Sequence, residues 1–131
     1  MCGIAGFLSS NIDPNVTLGN MIDAINHRGP DDRGVWFDKN DGIGFAHSRL
    51  SILDLTSAGH QPMHSVSNNF VLIFNGEIYN FRALKTGLLR QYPYKTQSDT
   101  EVILAALELW GDNALSRLEG MFAIAAWDVQ E

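Results

Sequence analysis

Apolar and polar positions along the chain switch between the period of a strand and that of a helix. Residues 3–9 are short and apolar and close on Ser9-Ser10-Asn11, which predicts a buried strand with Cys2 at its start. Asp13-Pro14 reads as a helix start, with Asp13 as N-cap and Pro14 in the first helical position. Leu18, Met21, Ile22 and Ile25 then follow at i, i+3, i+4, i+7, one apolar stripe, and Gly29-Pro30 stops the helix. Residues 35–38 and 43–49 flank Asn40-Asp41-Gly42, the turn of a β-hairpin. Residues 55–69, with Gly59, Pro62 and many polar side chains, read as a loop. The apolar run 70–74 predicts a strand closed by Asn75-Gly76, and a helix is expected over 79–91, before Tyr92-Pro93. Ser98 and Glu101 form an S-x-x-E capping box for a helix through Trp110, with Gly111 beyond its end. A short helix is expected over 113–118. The last run, 121–127, is apolar at every position, the pattern of a central strand covered on both faces. Such a strand needs neighbours on each side, and the sequence stops at Glu131, so the domain is expected to be cut short there. The whole reads as one α+β domain, helices packed on sheets, with no repeat or internal linker.

Composition agrees with a folded domain of one core. The 131 residues are 45% hydrophobic and 18% charged, below the roughly 25% charged of an average globular protein, which excludes a disordered chain. Nine Lys and Arg against fifteen Asp and Glu leave a net charge of −6, and no two basic residues are adjacent. A nucleic-acid surface is therefore not expected. No apolar run approaches the ~20 residues of a membrane-spanning helix. No Lys or Arg precedes Arg28, so the charged start of a secretory signal is missing, and a cytoplasmic protein without a membrane partner is expected. The single cysteine excludes an internal disulfide and a CxxC metal site.

That cysteine stands at position 2. Removal of Met1, which a small second residue permits, gives Cys2 both a thiol and a free α-amine. Amines of that kind titrate at about 7.7–8.0, so near neutrality a fraction can take the thiol's proton, a nucleophile and base in one residue. A merely buried cysteine is the alternative. Asn75-Gly76 at a strand end can aim a side-chain amide and a backbone N–H at one developing negative charge, or can be an ordinary turn. Arg49, amid apolar neighbours, can clamp a carboxylate with two hydrogen bonds or sit as a surface cation. Asp99 can receive an ammonium or complement a helix dipole. Glu77 can face the same ammonium or be a solvated carboxylate. His60 and His64 have the i, i+4 spacing of a metal pair, but Pro62 between them opposes the helix that would align them. His27 and His47 read as structural, at a helix end and in a strand. No Gly-rich phosphate loop is visible, so no ATP site is expected in this chain.

In order along the chain stand Met1-Cys2-Gly3-Ile4-Ala5-Gly6, His27-Arg28-Gly29-Pro30-Asp31, Arg49-Leu50-Ser51-Ile52-Leu53-Asp54, Gln61-Pro62-Met63, Asn75-Gly76-Glu77-Ile78-Tyr79-Asn80, Ser98-Asp99-Thr100-Glu101-Val102-Ile103 and Gly120-Met121-Phe122-Ala123. These blocks resemble the N-terminal glutaminase domain of class II glutamine amidotransferases, members of the N-terminal-nucleophile hydrolases, and within them the asparagine synthetase type. The resemblance covers nearly the whole of residues 1–131 and implies an incomplete amidotransferase domain with the family's synthetase domain absent. It implies a four-layer αββα sandwich of antiparallel sheets. It also implies that Cys2 attacks the side-chain amide of L-glutamine with its α-amine as base, and that Asn75 and Gly76 stabilise the oxyanion. Arg49 would then hold the substrate carboxylate, Glu77 and Asp99 its ammonium, with Leu50 and Ile52 lining the pocket. A thioester on Cys2 is hydrolysed, and ammonia goes to a synthetase domain or subunit for an acceptor such as aspartyl-adenylate. ATP and Mg are implied only for that partner, and the chain can assemble as a homo-oligomer. A catalytically idle glutamine-binding or assembly module is the alternative.

Overall fold

The computed structural model describes residues 2–51, 56–87 and 89–130, which form two three-stranded antiparallel sheets and three α-helices. The first sheet holds β1 (Gly3–Leu8), β2 (Asp32–Asp38) and β3 (Ile43–Arg49) in the order β1-β3-β2, with Gly3 opposite Ser48 and Asp32 opposite Arg49. The second holds β4 (Met63–His64), β5 (Phe70–Ile78) and β6 (Gly120–Asp128) in the order β4-β5-β6, with Met63 opposite Leu72 and Asn75 opposite Ala123. The helices are α1 (Pro14–Ile25), α2 (Phe81–Thr86) and α3 (Asp99–Trp110).

Local chemistry accounts for the helix starts. Asp13 Oδ1 accepts from the N–H groups of Asn15 and Val16, and Pro14 follows where a missing N–H costs nothing. Ser98 Oγ accepts from Glu101 N–H at 3.3 Å. The other half of that expected capping box is not made. The Glu101 carboxylate turns outward from the helix end and takes the N–H groups of Lys95 and Thr96 at 2.8 and 2.7 Å, while Ser98 N–H goes to Thr96 Oγ1.

Strand alternation distributes the core. Leu18 and Ile22 of α1 pack on Ala46 and its neighbours Ala5, Phe7 and Phe37, one face of the first sheet. Ile43 and Phe45 meet Val71 and Ile73 between the sheets. Leu72, Phe74 and Ile78, on the opposite face of β5, pack against Val102, Ile103 and Ala106 of α3. Odd-numbered side chains of β5 therefore face the first sheet and even-numbered ones face α3.

Several expected elements differ. β1 is an edge strand, half exposed and not buried. β2 starts at Asp32, because pairing with β3 continues past the apolar stretch to Arg49. The expected loop 55–69 contains β4 and a 3-10 turn, Ser57–Gly59. β5 runs on through Asn75 and Gly76 instead of turning there, held by β6 to Ile78. The expected helix 79–91 is the six-residue α2, and the short helix at 113–118 is a 3-10 segment, Gly111–Arg117. β6 is not central: among the described residues its outer edge has no strand beside it, and residues 120–123 are exposed. Its farther half does serve both faces, with Ile124 against one cluster and Ala125 and Trp127 against the other.

Candidate active site

The two sheets leave a cleft where β1 begins, β3 ends, and α3 starts beside the middle of β5. It has a volume of about 180 Å³ and is lined by Cys2, Arg49, Leu50, Asn75, Gly76, Glu77 and Asp99, together with Gly59, Gln61, Thr100 and Met121. Ile52, expected beside Leu50, and Met1 lie outside the described residues.

Cys2 precedes β1, and the Gly3–Ser48 register brings it beside the end of β3. Leu50 N–H donates to its sulfur at 3.4 Å, and the sulfur lies 3.6 Å from Leu50 C=O. Arg28 Nε donates to the Cys2 carbonyl at 3.0 Å. The segment after β3 is fixed in turn by Asp31, whose N–H goes to Arg49 C=O and whose carboxylate takes Ser51 N–H at 2.8 Å. Half-buried thiol and backbone amide are thus locked together before any ligand enters.

Arg49 is only 7% exposed. Its Nη1 donates to Thr56 C=O at 2.8 Å, and the guanidinium lies so close to Gly59 that a Cβ there would be 2.2 Å from Nη2. Only glycine at 59 leaves the cation where it is. At the other side of the cleft Asp99 is 4% exposed. Its carboxyl is pushed above the usual carboxylate range, chiefly by burial and further by the charge of Glu77, against the hydrogen bonds of Ile78 and nearby amides. A buried carboxylate so placed gains from an arriving cation. Glu77 itself is exposed at the rim.

Between these groups lies the edge of β5. Side chains of odd residues face the first sheet, so Asn75 points toward the cleft's thiol side, and its buried Oδ1 has no hydrogen-bond partner among the described residues. Gly76 has φ 150°, and a Cβ there would stand 2.1 Å from Met121 C=O, so no other residue fits. β4 pairs with β5 only as far as Leu72. Beyond it side chains replace the strand. Phe74 N–H donates to Gln61 Oε1 at 2.7 Å and Ile78 N–H to Asp99 Oδ2 at 3.1 Å. Alternation carries the Gly76 N–H to this same edge, between the two.

His47, on β3, is fully buried and meets the same strand, its Nε2 3.3 Å from Phe74 C=O. Burial, aided by the charge of Arg49, lowers its pKa from 6.5 to about 4 despite the Phe74 hydrogen bond. His60 and His64 do not form a pair: His60 Nδ1 bonds Asp32 at 2.7 Å, while the His64 ring lies edge-on to Trp36. Among the described residues no group of three or more His, Cys, Asp or Glu is arranged to hold a metal, and no helix is long and apolar enough to cross a membrane.

Sequence reasoning missed Gly59, Gln61 and Thr100 as cleft residues. Gly59 and Thr100 carry no chemistry of their own. The available signal for Gln61 and Thr100 was their place in the motif blocks Gln61-Pro62-Met63 and Ser98-Asp99-Thr100-Glu101-Val102-Ile103, which marked the blocks without saying what these two side chains hold.

The family model described as glutamine amidotransferase domain matches residues 1–131. "Asparagine synthetase [glutamine-hydrolyzing] 2" of Bacillus subtilis (strain 168) is 43% identical over 98% of this chain and 17% of its own length. "Asparagine synthetase [glutamine-hydrolyzing] 1" of the same organism is 40% identical, over 98% of this chain and 21% of its own length. "Amidase chry2" of Gibberella zeae is 35% identical over the same shares, 98% and 21%. The chain spans about a fifth of the length of these curated relatives.

Proposed function

This chain belongs to the glutamine amidotransferase domain family and is of the asparagine synthetase type, and from that premise we propose that its cleft hydrolyses L-glutamine to glutamate and ammonia. The observation that carries the reading is the shared lining of one cleft by a thiol, a glycine amide on β5 beyond the end of its pairing with β4, a buried guanidinium and a buried carboxylate. Those are the parts acyl transfer on a small zwitterion requires.

With Met1 removed, the α-amine of Cys2 takes the thiol proton and the sulfur attacks the carboxamide carbon of glutamine. The C=O electron pair moves to oxygen, where Asn75 and the Gly76 N–H stabilise it. Collapse breaks the C–N bond, the protonated amine returns its proton to the leaving nitrogen, and ammonia departs from a Cys2 thioester. Water then attacks that thioester with the same amine as base, releasing glutamate and the thiol. Arg49 holds the substrate carboxylate, Asp99 and Glu77 hold its ammonium, and Leu50 keeps the sulfur in place. Ile52 belongs to this set by its motif. The three clusters, α1 on the first sheet, sheet on sheet and α3 on the second, support an αββα sandwich. Ammonia is passed on to a synthetase domain or subunit, where ATP and Mg would activate an acceptor such as aspartate.

The test is to follow glutamate and ammonia from glutamine with Met1-free protein, and to locate by peptide mass the adduct of an electrophilic glutamine analogue. Equal release of the two products and an adduct on Cys2 that Cys2→Ala abolishes are expected. Analogue binding without turnover would replace this reading with that of an idle glutamine-binding module.

A further inference from the structure

Phe74 directly precedes Asn75, and side chains hold both of its backbone groups. Its N–H donates to Gln61 Oε1 at 2.7 Å, and its C=O lies 3.3 Å from His47 Nε2. A carbonyl only accepts, so Nε2 carries the proton of a neutral imidazole. The other end of the Gln61 carboxamide donates from Nε2 to Thr100 Oγ1 at 3.2 Å, in the first turn of α3 beside Asp99. Gln61 itself is 5% exposed and lines the cleft. One planar group thus ties the part of the β5 edge beyond β4 to the helix carrying Asp99.

We infer that Gln61 is a positioning residue for the Asn75–Gly76 pair, fixing the depth at which their donors stand by holding the Phe74 peptide against α3. This rests on the glutaminase reading above. An isosteric apolar side chain can fill the same volume but leaves the Phe74 N–H and the Thr100 hydroxyl without partners. An ionised carboxylate could accept from Phe74 but could not donate to Thr100, and would set a second buried negative charge near Asp99. Donors to an oxyanion act within about 2.7–3.1 Å of where that charge develops, so a small shift of β5 weakens the transition state more than substrate binding. Of the groups proposed for binding, Arg49 keeps its own anchor at Thr56, and Asp99 meets β5 four residues beyond Phe74, at Ile78.

The experiment compares Gln61→Met, Thr100→Val and Thr100→Ser with the unmodified sequence. Gln61→Met is expected to lower kcat about 10- to 100-fold with KM changed less than about 3-fold, as fits misplaced oxyanion donors. Alkylation of Cys2 by iodoacetamide, a displacement that expels iodide and develops no oxyanion, should stay within about 2-fold, a split that a general loss of folding would not produce. Thr100→Val should move kcat in the same direction, and Thr100→Ser, which keeps the hydroxyl, should recover it. Unchanged kcat in Gln61→Met, or kcat and alkylation falling in parallel, would overturn the inference. If Gln61→Met does not fold, equal kcat in Thr100→Val and Thr100→Ser overturns it instead. Should the unmodified chain itself not turn over glutamine, the glutaminase reading fails separately. Amide hydrogen exchange then judges the clamp: no acceleration at Phe74 or Gly76 in Gln61→Met means Gln61 holds nothing.

Discussion

In the proposed reaction Asn75 and Arg49 would divide the work between charge that develops and charge that is already there. Asn75→Ala should cost about 10²–10³ in kcat, the range for loss of one oxyanion donor, while KM for glutamine stays near its starting value. A rise in KM alone would make Asn75 a ground-state binding residue. Arg49→Lys should do the reverse. The pocket around the guanidinium is closed by Gly59 and shaped for a planar group, and an ammonium offers no two-point hold on a carboxylate, so KM should rise at least about tenfold. Wild-type KM in that variant removes Arg49 from the substrate. Met1 carries the third expectation at this scale. While it remains attached, the Cys2 nitrogen is an amide with no basic lone pair, so protein verified by intact mass to retain Met1 should be nearly inactive. Trimming with a methionine aminopeptidase should restore turnover in proportion to the mass lost. Equal rates before and after trimming would mean that another group serves as base.

At the scale of elements, Asp13 offers a change remote from the cleft. Its carboxylate satisfies two orphan amides at the start of α1, so Asp13→Ala should lower stability by about 1 kcal/mol, a melting shift of roughly 3–6 °C. The glutaminase rate well below the melting range should not move, and a rate that falls with stability would show that α1 holds the site. This helix was legible because its signals are local: a cap, a proline and an apolar stripe. β3 was legible for a similar reason, a turn sequence between two apolar runs. Asn75-Gly76 was not. Locally it is a leading turn dipeptide, and only the register with β6 keeps it extended. The chemistry-bearing residues stood out in sequence by type and motif, and the cleft gathers those that lie among the described residues. Gln61 stood in a motif block but its role was not legible, and Gly59 did not stand out, because their work is to hold other groups across 13 residues of separation or by close approach. Likewise β6 has the composition of a buried strand, but exposure depends on what stands beside it, which no local pattern encodes.

For the whole molecule, the buried His47 makes stability depend on pH in a defined direction. The folded state takes up its proton only near pH 4, whereas the unfolded chain takes one up near 6.5, so the unfolded state gains protons first on acidification. His47 should take a few kcal/mol of stability away as pH drops from 6.5 to about 4, with no further loss from this group below that. Urea unfolding across that range measures it. His47→Gln, which keeps a donor for Phe74 but does not titrate, should flatten that part of the profile, and an unaltered slope would assign it to other groups. The side chains standing in for a strand beside β5 also bear on how copies of this chain meet. An apolar strand end with a bare row of amides is a template for another chain to add to, and a growing stack of such additions is fibrillar. Gln61 and Asp99 occupy two alternate amides on that row and leave one, Gly76, between them. A single planar amide can approach such a gap, whereas an extended foreign backbone needs the flanking positions as well. A cleft so bordered suits a side chain better than a strand, and among the described residues of the second sheet the long edge left open to recruitment is the outer one of β6, where Met121 is 69% exposed.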